Sequence, residues 1–208
     1  MRTNILWLLT TMMALAIVAC TEEPEVVEKR HYPEVSHPTP NIVPDSLNEM
    51  LGIVLHHTAL PTVEAALEEL TRPGWVRVSS HVVIDTDGTR YILAPPTAIT
   101  YHAGKSILHG RERCNNFCIG IEFQGNTAQV PLTTEQIESG VEYLLPLILE
   151  CNIPLDNIVT HKMVRDNFIH HHPEEKRYKA KVDISSSDYA RFMDALKASL
   201  DSLQSLSK

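Results

Sequence analysis

Three short pieces of this chain carry residues able to do chemistry. They are Ile53-Val54-Leu55-His56-His57-Thr58, Ile119-Gly120-Ile121-Glu122, and Ile158-Val159-Thr160-His161 with a later Lys181-Val182-Asp183. In the first and third, a histidine follows an apolar, β-branched run, where a buried strand emerges into a cleft. Two such histidines and one carboxylate can form an open three-ligand zinc site that leaves a fourth position for water. His57 points to the opposite face of a continuing strand, so it stays outside that shell. Glu122 ends an otherwise apolar strand, where a carboxylate is either a partnered structural charge or a general base at a groove. Together the pieces point to a metal-dependent hydrolase.

Other chemistries fit less well. Gly104-Lys105-Ser106 resembles the end of a phosphate loop, but Ile99 occupies the position of its first glycine. Thr58 has no acid–base chain of the kind a hydroxyl nucleophile needs. Cys114 and Cys118 could be half of a metal site, but no second cysteine pair completes it. Buried thiols or a local Cys114–Cys118 bridge are the alternatives. His170-His171-His172-Pro173 is a further possible metal-binding run and is expected at a groove edge or surface.

The elements that must position these residues can be read from periodicity. Ile53 to His56 is a short buried strand. Thr62 caps a helix with Val63, Ala66, Leu67 and Leu70 at helical spacing, and Arg72-Pro73-Gly74 ends it. His81–Ile84 and Thr89–Leu93 flank Asp85-Thr86-Asp87-Gly88, a hairpin signal. Cys118 to Phe123 is another strand. Thr133-Thr134-Glu135-Gln136 matches a capping box and opens a helix with Ile137, Val141, Leu144, Leu145 and Ile148 on one face. Ile158 to Thr160 is a strand. A last helix from about Ser186 buries Tyr189, Phe192, Met193, Leu196, Leu200 and Leu203. The expected fold is α/β, a mixed central sheet flanked by helices.

In this order and context the pieces resemble the type 2 family of zinc-dependent N-acetylmuramoyl-L-alanine amidases, which shares its fold with peptidoglycan recognition proteins and phage-type amidase lysozymes. The resemblance covers most of residues 50 to 185. It includes Val54–Ala59, Ser79–Asp85 before Asp87-Gly88, Tyr101-His102-Ala103-Gly104, Ile119–Glu122, Val159–His161 and Lys181–Asp183. It implies that His56, His161 and Asp183 hold Zn2+ and that Glu122 is the base or water-orienting carboxylate. It further implies that Lys181 stabilises the oxyanion, and that His102, Ala103 and Gly104 line the groove for the sugar–peptide junction. The substrate it implies is peptidoglycan or a muropeptide, cut at the amide between N-acetylmuramic acid and L-alanine. The chain departs from the family in placing Asp183 22 positions after His161, a wider spacing than in relatives, and in Ile184 where a proline often stands. An insertion between two ligands costs little entropy, so Asp183 remains the third ligand. The alternative is a non-catalytic peptidoglycan-binding lipoprotein of the same fold.

The front of the chain speaks to location. Residues 1–19 have Arg2 followed by an uncharged apolar stretch from Ile5 to Val18, the pattern of a secretory signal. Ile17-Val18-Ala19-Cys20 resembles a bacterial lipobox, in which the cysteine is acylated. A soluble protein cut near Ala19 and an uncleaved anchor are the other outcomes. Residues 20–49, rich in proline and charge, read as a tether, and 50–208 as one zinc amidase domain. The reading is an exported lipoprotein of the outer membrane, monomeric and held by lipid on Cys20. The formal net charge of −8 makes nucleic acid a poor partner. With Cys20 acylated, three cysteines remain, so no disulfide framework supports the fold.

Overall fold

The computed structural model describes residues 30–175 and 183–206. In chain order the elements are β1 (Glu34–Ser36), β2 (Ile42–Leu47), β3 (Gly52–His57), α1 (Val63–Thr71), β4 (Val82–Ile84), β5 (Arg90–Ile92), β6 (Ala98–Thr100), β7 (Ile107–Leu108), β8 (Arg111–Glu112), β9 (Cys118–Phe123), α2 (Thr134–Cys151), β10 (Ile158–Thr160), α3 (His161–His171) and α4 (Ser186–Leu206). A six-stranded sheet runs in the order β1-β5-β4-β9-β3-β10. Only the β4–β5 pair is antiparallel, so the sheet is mixed as expected. That pair turns at Asp85–Thr89, where the Asp85 N–H donates to the Thr89 carbonyl at 2.9 Å. Gly88 adopts φ +86°, and a Cβ there would lie 2.3 Å from the Tyr32 ring, so only glycine fits this turn.

Alternation along the two central strands divides the interior. Ile53 and Leu55 of β3, with Ile119, Ile121 and Phe123 of β9, face α2 and α4. There they meet Ile137, Val141, Leu144 and Ile148, and Phe192, Met193 and Leu196. The other face packs Val54, Cys118, Val159 and Val164 in one cluster, and Val83 and Leu93 against the apolar stripe of α1 in a second. Truncating a fully buried leucine such as Leu55 to alanine would cost about 2–5 kcal/mol. The expected caps form. The Thr62 side chain accepts from the Ala65 N–H, and Thr133 makes a reciprocal capping box with Gln136. The stripe of α4 ends sooner than expected, because Leu203 is 40% exposed.

Two expectations are corrected. Residues 31–49 are not a tether. β1 adds to the sheet edge in parallel with β5, and β2 pairs with β6. Thr39, Asn41 and Asn48 are buried with their side chains hydrogen-bonded, for example Thr39 Oγ1 to the Leu70 carbonyl at 2.8 Å. Arg90, also buried, anchors this segment. It donates to the Tyr32 carbonyl (3.0 Å) and the Ser139 carbonyl (3.2 Å) and pairs with Glu34 (3.1 Å). The folded unit therefore begins near His31. Signal and tether residues 1–29 lie outside the described residues. The second concerns the stretch after His161: that residue follows β10 directly, as expected, but it also opens a helix, α3, that fills the first half of the span to Asp183.

Candidate metal centre

His56 stands near the end of β3, and β9 runs parallel beside it with Glu122 directly opposite in register. Side chains of paired positions on neighbouring strands leave the same face of the sheet, so His56 and Glu122 share the face that carries α1 and α3. On the other side of β3, β10 pairs Thr160 with Leu55, and the chain turns straight into α3. Thr160 caps that helix, its hydroxyl accepting from the Met163 N–H at 3.3 Å, which fixes the angle at which His161 leaves the sheet. Asp183 is set by the same helix start: its Oδ2 accepts from the Lys162 N–H at 3.0 Å, where the helix end favours an anion.

These elements bring together His56, His161 and Asp183, all buried, with one potential ligand atom from each lying within 4.8 Å of the others. The two Nδ1 atoms are 3.1 Å apart, and His161 Nδ1 lies 3.9 Å from Asp183 Oδ2. Zinc bonds of about 2.0–2.1 Å at tetrahedral angles require donors about 3.3 Å apart. The histidine pair is already at that spacing, and the carboxylate needs only a small side-chain adjustment. Two neutral imidazoles and one carboxylate suit a divalent metal of zinc's type, so the residues fit the group.

The neighbours divide into support and surface. His57 faces away from the cluster, as its strand position requires. Its Nδ1 accepts from the Thr127 N–H (3.1 Å) and lies 2.8 Å from Thr127 Oγ1, which in turn meets the Ser185 N–H (2.9 Å) and the Asp183 carbonyl (3.4 Å). His57 thereby braces the segment that carries Asp183. His171 and His172 engage the Asn167 carbonyl and Glu112 at the far end of α3, and none of the 170–172 run joins the cluster. Lys181 lies outside the described residues, as does Cys20. Cys114 and Cys118 are buried free thiols.

Of the three residues expected to line the groove, two lie deep beside the cluster. Ala103 is fully buried in the apolar cluster beneath the site, and its N–H is held by Asn115 at 2.7 Å. His102 is buried behind His56, its Nδ1 3.1 Å from His56 Nε2 and its Nε2 3.2 Å from the Cys118 carbonyl. Of the three residues only Gly104 reaches solvent. Burial, followed by neighbouring His81 and His161, holds the His102 imidazole well below the usual histidine range. Burial likewise pushes His81 down to about 4, against the opposing hydrogen bonds to Ala98 and Gly120. The one sequence signal of this buried row was Gly120, since a glycine inside a strand marks a close approach.

Comparison with known proteins agrees with this geometry. Residues 46–183 match the Amidase_2 family, described as N-acetylmuramoyl-L-alanine amidase. The 1,6-anhydro-N-acetylmuramyl-L-alanine amidase AmpD of Enterobacter cloacae is 30% identical over 152 residues, covering 65% of this chain and 79% of that protein. The N-acetylmuramoyl-L-alanine amidase AmiD of Escherichia coli (strain K12) is 27% identical over 170 residues, covering 74% and 58%. Among solved structures, a selenomethionine AmpD derivative matches with a TM-score of 0.61 at 27% identity, covering 79% of this chain and 93% of its own. E. coli AmiD in complex with anhydro-N-acetylmuramic acid-L-Ala-D-gamma-Glu-L-Lys matches with a TM-score of 0.50 at 25% identity, covering 60% and 53%. A matching family, a mixed sheet of the same fold and a histidine–histidine–aspartate cluster beside its central strands converge on one conclusion: this chain belongs to the type 2 N-acetylmuramoyl-L-alanine amidases and is a hydrolase.

Proposed function

We propose that the metal is zinc and that the enzyme cleaves the amide between the lactyl group of N-acetylmuramic acid and L-alanine in muropeptides. The observation that carries this reading is the buried His56–His161–Asp183 cluster with Glu122 in register beside it. Zinc held there would supply an activated water and polarise the scissile carbonyl. Glu122 accepts the water's proton and returns it to the leaving amine of L-alanine. Asp183, tied to the start of α3, keeps its carboxylate beside the two histidines. Lys181, two residues earlier in sequence, is assigned to the developing oxyanion on the strength of the family pattern. AmpD is named for the 1,6-anhydro sugar and the AmiD complex contains one, which supports anhydro-muropeptides as substrates here. The signal pattern and Cys20 support export as an outer-membrane lipoprotein, which we read as a monomer.

The test is mass spectrometry of muropeptides, with and without the anhydro ring, after incubation with zinc-loaded protein. Free stem peptide beginning with L-alanine is the expected product. Cut glycan or cut peptide cross-links would refute the assignment. Metabolic labelling with a fatty-acid probe, compared between the natural chain and Cys20→Ala, tests the anchor.

A further inference from the structure

His102 contacts the cluster without belonging to it, and its hydrogen bonds run in one direction only. Its Nε2 lies 3.2 Å from the Cys118 carbonyl. A carbonyl can only accept, so Nε2 carries the proton. The same carbonyl takes a second bond from Asn48 Nδ2 at 2.7 Å, which holds it in place. The buried ring sits among the imidazoles of His56, His81 and His161 with its one proton directed at this carbonyl, which leaves Nδ1 as an acceptor. The atom facing that Nδ1, at 3.1 Å, is His56 Nε2, which must therefore donate. A neutral imidazole has one N–H, and once it sits on Nε2 the lone pair lies on Nδ1. Nδ1 is the atom His56 turns toward His161.

We propose that His102 is a positioning residue that accepts the Nε2–H of His56 and so reserves His56 Nδ1, in the correct tautomer and orientation, for the metal. The proposal deepens the zinc reading and rests on it. Metal-bound histidines commonly pass their second N–H to a carboxylate or backbone carbonyl. Here the acceptor is another imidazole, and the carbonyl lies one step further back.

The surrounding chain is built for this contact. A Cβ at Gly120 would lie 2.5 Å from His102 Cγ, so β9 admits the ring only because that position is glycine. Behind it, His81 fixes its own ring in the same sense. Its Nδ1 accepts from the Gly120 N–H (2.9 Å), and its Nε2 donates to the Ala98 carbonyl (3.0 Å). The ring centroids step from His81 to His102 (5.9 Å), to His56 (5.3 Å) and to His161 (4.8 Å). A row of imidazoles thus leads from the interior to the ligand pair.

Long-range 1H–15N correlation of the imidazoles in metal-free natural protein is the first test. It should show His56 and His102 both as Nε2–H tautomers, and cadmium-113 loading should couple to His56 Nδ1. Zinc affinity by competition with a chromophoric chelator is the second. His102→Leu removes the acceptor and should weaken zinc binding by about 10–100-fold. His102→Asn places a carbonyl oxygen near the former Nδ1 and should restore most of that loss, a rescue that mere cavity filling would not give. An Nδ1–H tautomer of His56 in the natural protein overturns the proposal whether or not the leucine variant folds. So does a folded His102→Leu with unchanged zinc affinity. Failure of the natural protein to bind zinc would instead overturn the metal reading, and the tautomer spectrum distinguishes the two.

Discussion

The cluster makes separable demands on its side chains. His56→Ala and His161→Ala should each abolish turnover and weaken metal binding, because two ligands leave an incomplete shell. Asp183→Ala should lose metal and activity together, while replacing His170, His171 and His172 by alanine should leave zinc bound. Metal analysis by inductively coupled plasma spectrometry decides between them, and full occupancy in the aspartate variant would remove Asp183 from the site. Glu122→Gln keeps shape but removes the proton acceptor, so turnover should fall by roughly 10²–10⁴ with zinc retained. Near-normal turnover would make Glu122 structural. His81 allows a prediction about pH. Its folded pKa is about 4, below the usual 6.5, so between these values the unfolded chain binds more protons. Stability from this group is full above about pH 6.5, falls as pH drops toward 4, and is worth roughly 3 kcal/mol across that window. Urea midpoints measured from pH 7 to 4 should fall less steeply in His81→Asn, which cannot titrate. Parallel slopes would contradict the assignment.

Elements with strong periodicity were readable in the sequence because one face of each must be apolar. The stripes of α1 and α2, with their threonine caps, sit where the spacing put them. So does the Asp85–Gly88 turn. β2 was hidden because Ile42-Val43-Pro44-Asp45 offers no alternation, and its pairing with β6 is set by a distant partner rather than by local pattern. α3 was hidden for a related reason: Val164 and Phe168 are its only buried apolar residues, and it is held as much by its cap and by His161 as by a stripe. The depth of His102 was hidden as well, because sequence order does not say how far a histidine lies from solvent. The recovered N-terminal segment has a cost when removed. A chain starting at Met50 would take the Tyr32 carbonyl and the Glu34 carboxylate from buried Arg90 and strip β1 and β2 from their partner strands. Thermal melts should show a chain starting at His31 as stable as the full protein and one starting at Met50 strongly destabilised. Equal melting temperatures would show that the segment is dispensable.

Across the whole molecule, the sheet is assembled from partners far apart in the chain. β3 lies between β9 and β10, in parallel with both, and the contact between His56 and His161 closes a separation of 105 residues. Parallel pairing across such distances comes late and slowly, because closure entropy is lost before contacts offset it. The ligand pair consequently does not exist until the centre of the sheet is complete, which turns a feature of topology into one of timing. Metal has nothing preformed to grip in the unfolded chain and should leave the refolding rate unchanged. Once the sheet is closed, it ties β3 to α3 and should slow unfolding in proportion to the stability it adds. Stopped-flow refolding and unfolding, with zinc and with chelator, should therefore show a chevron whose unfolding arm alone moves. If zinc accelerates the folding arm instead, the histidines meet early, and the chain uses the metal as a guide to its topology rather than as a lock on the finished sheet.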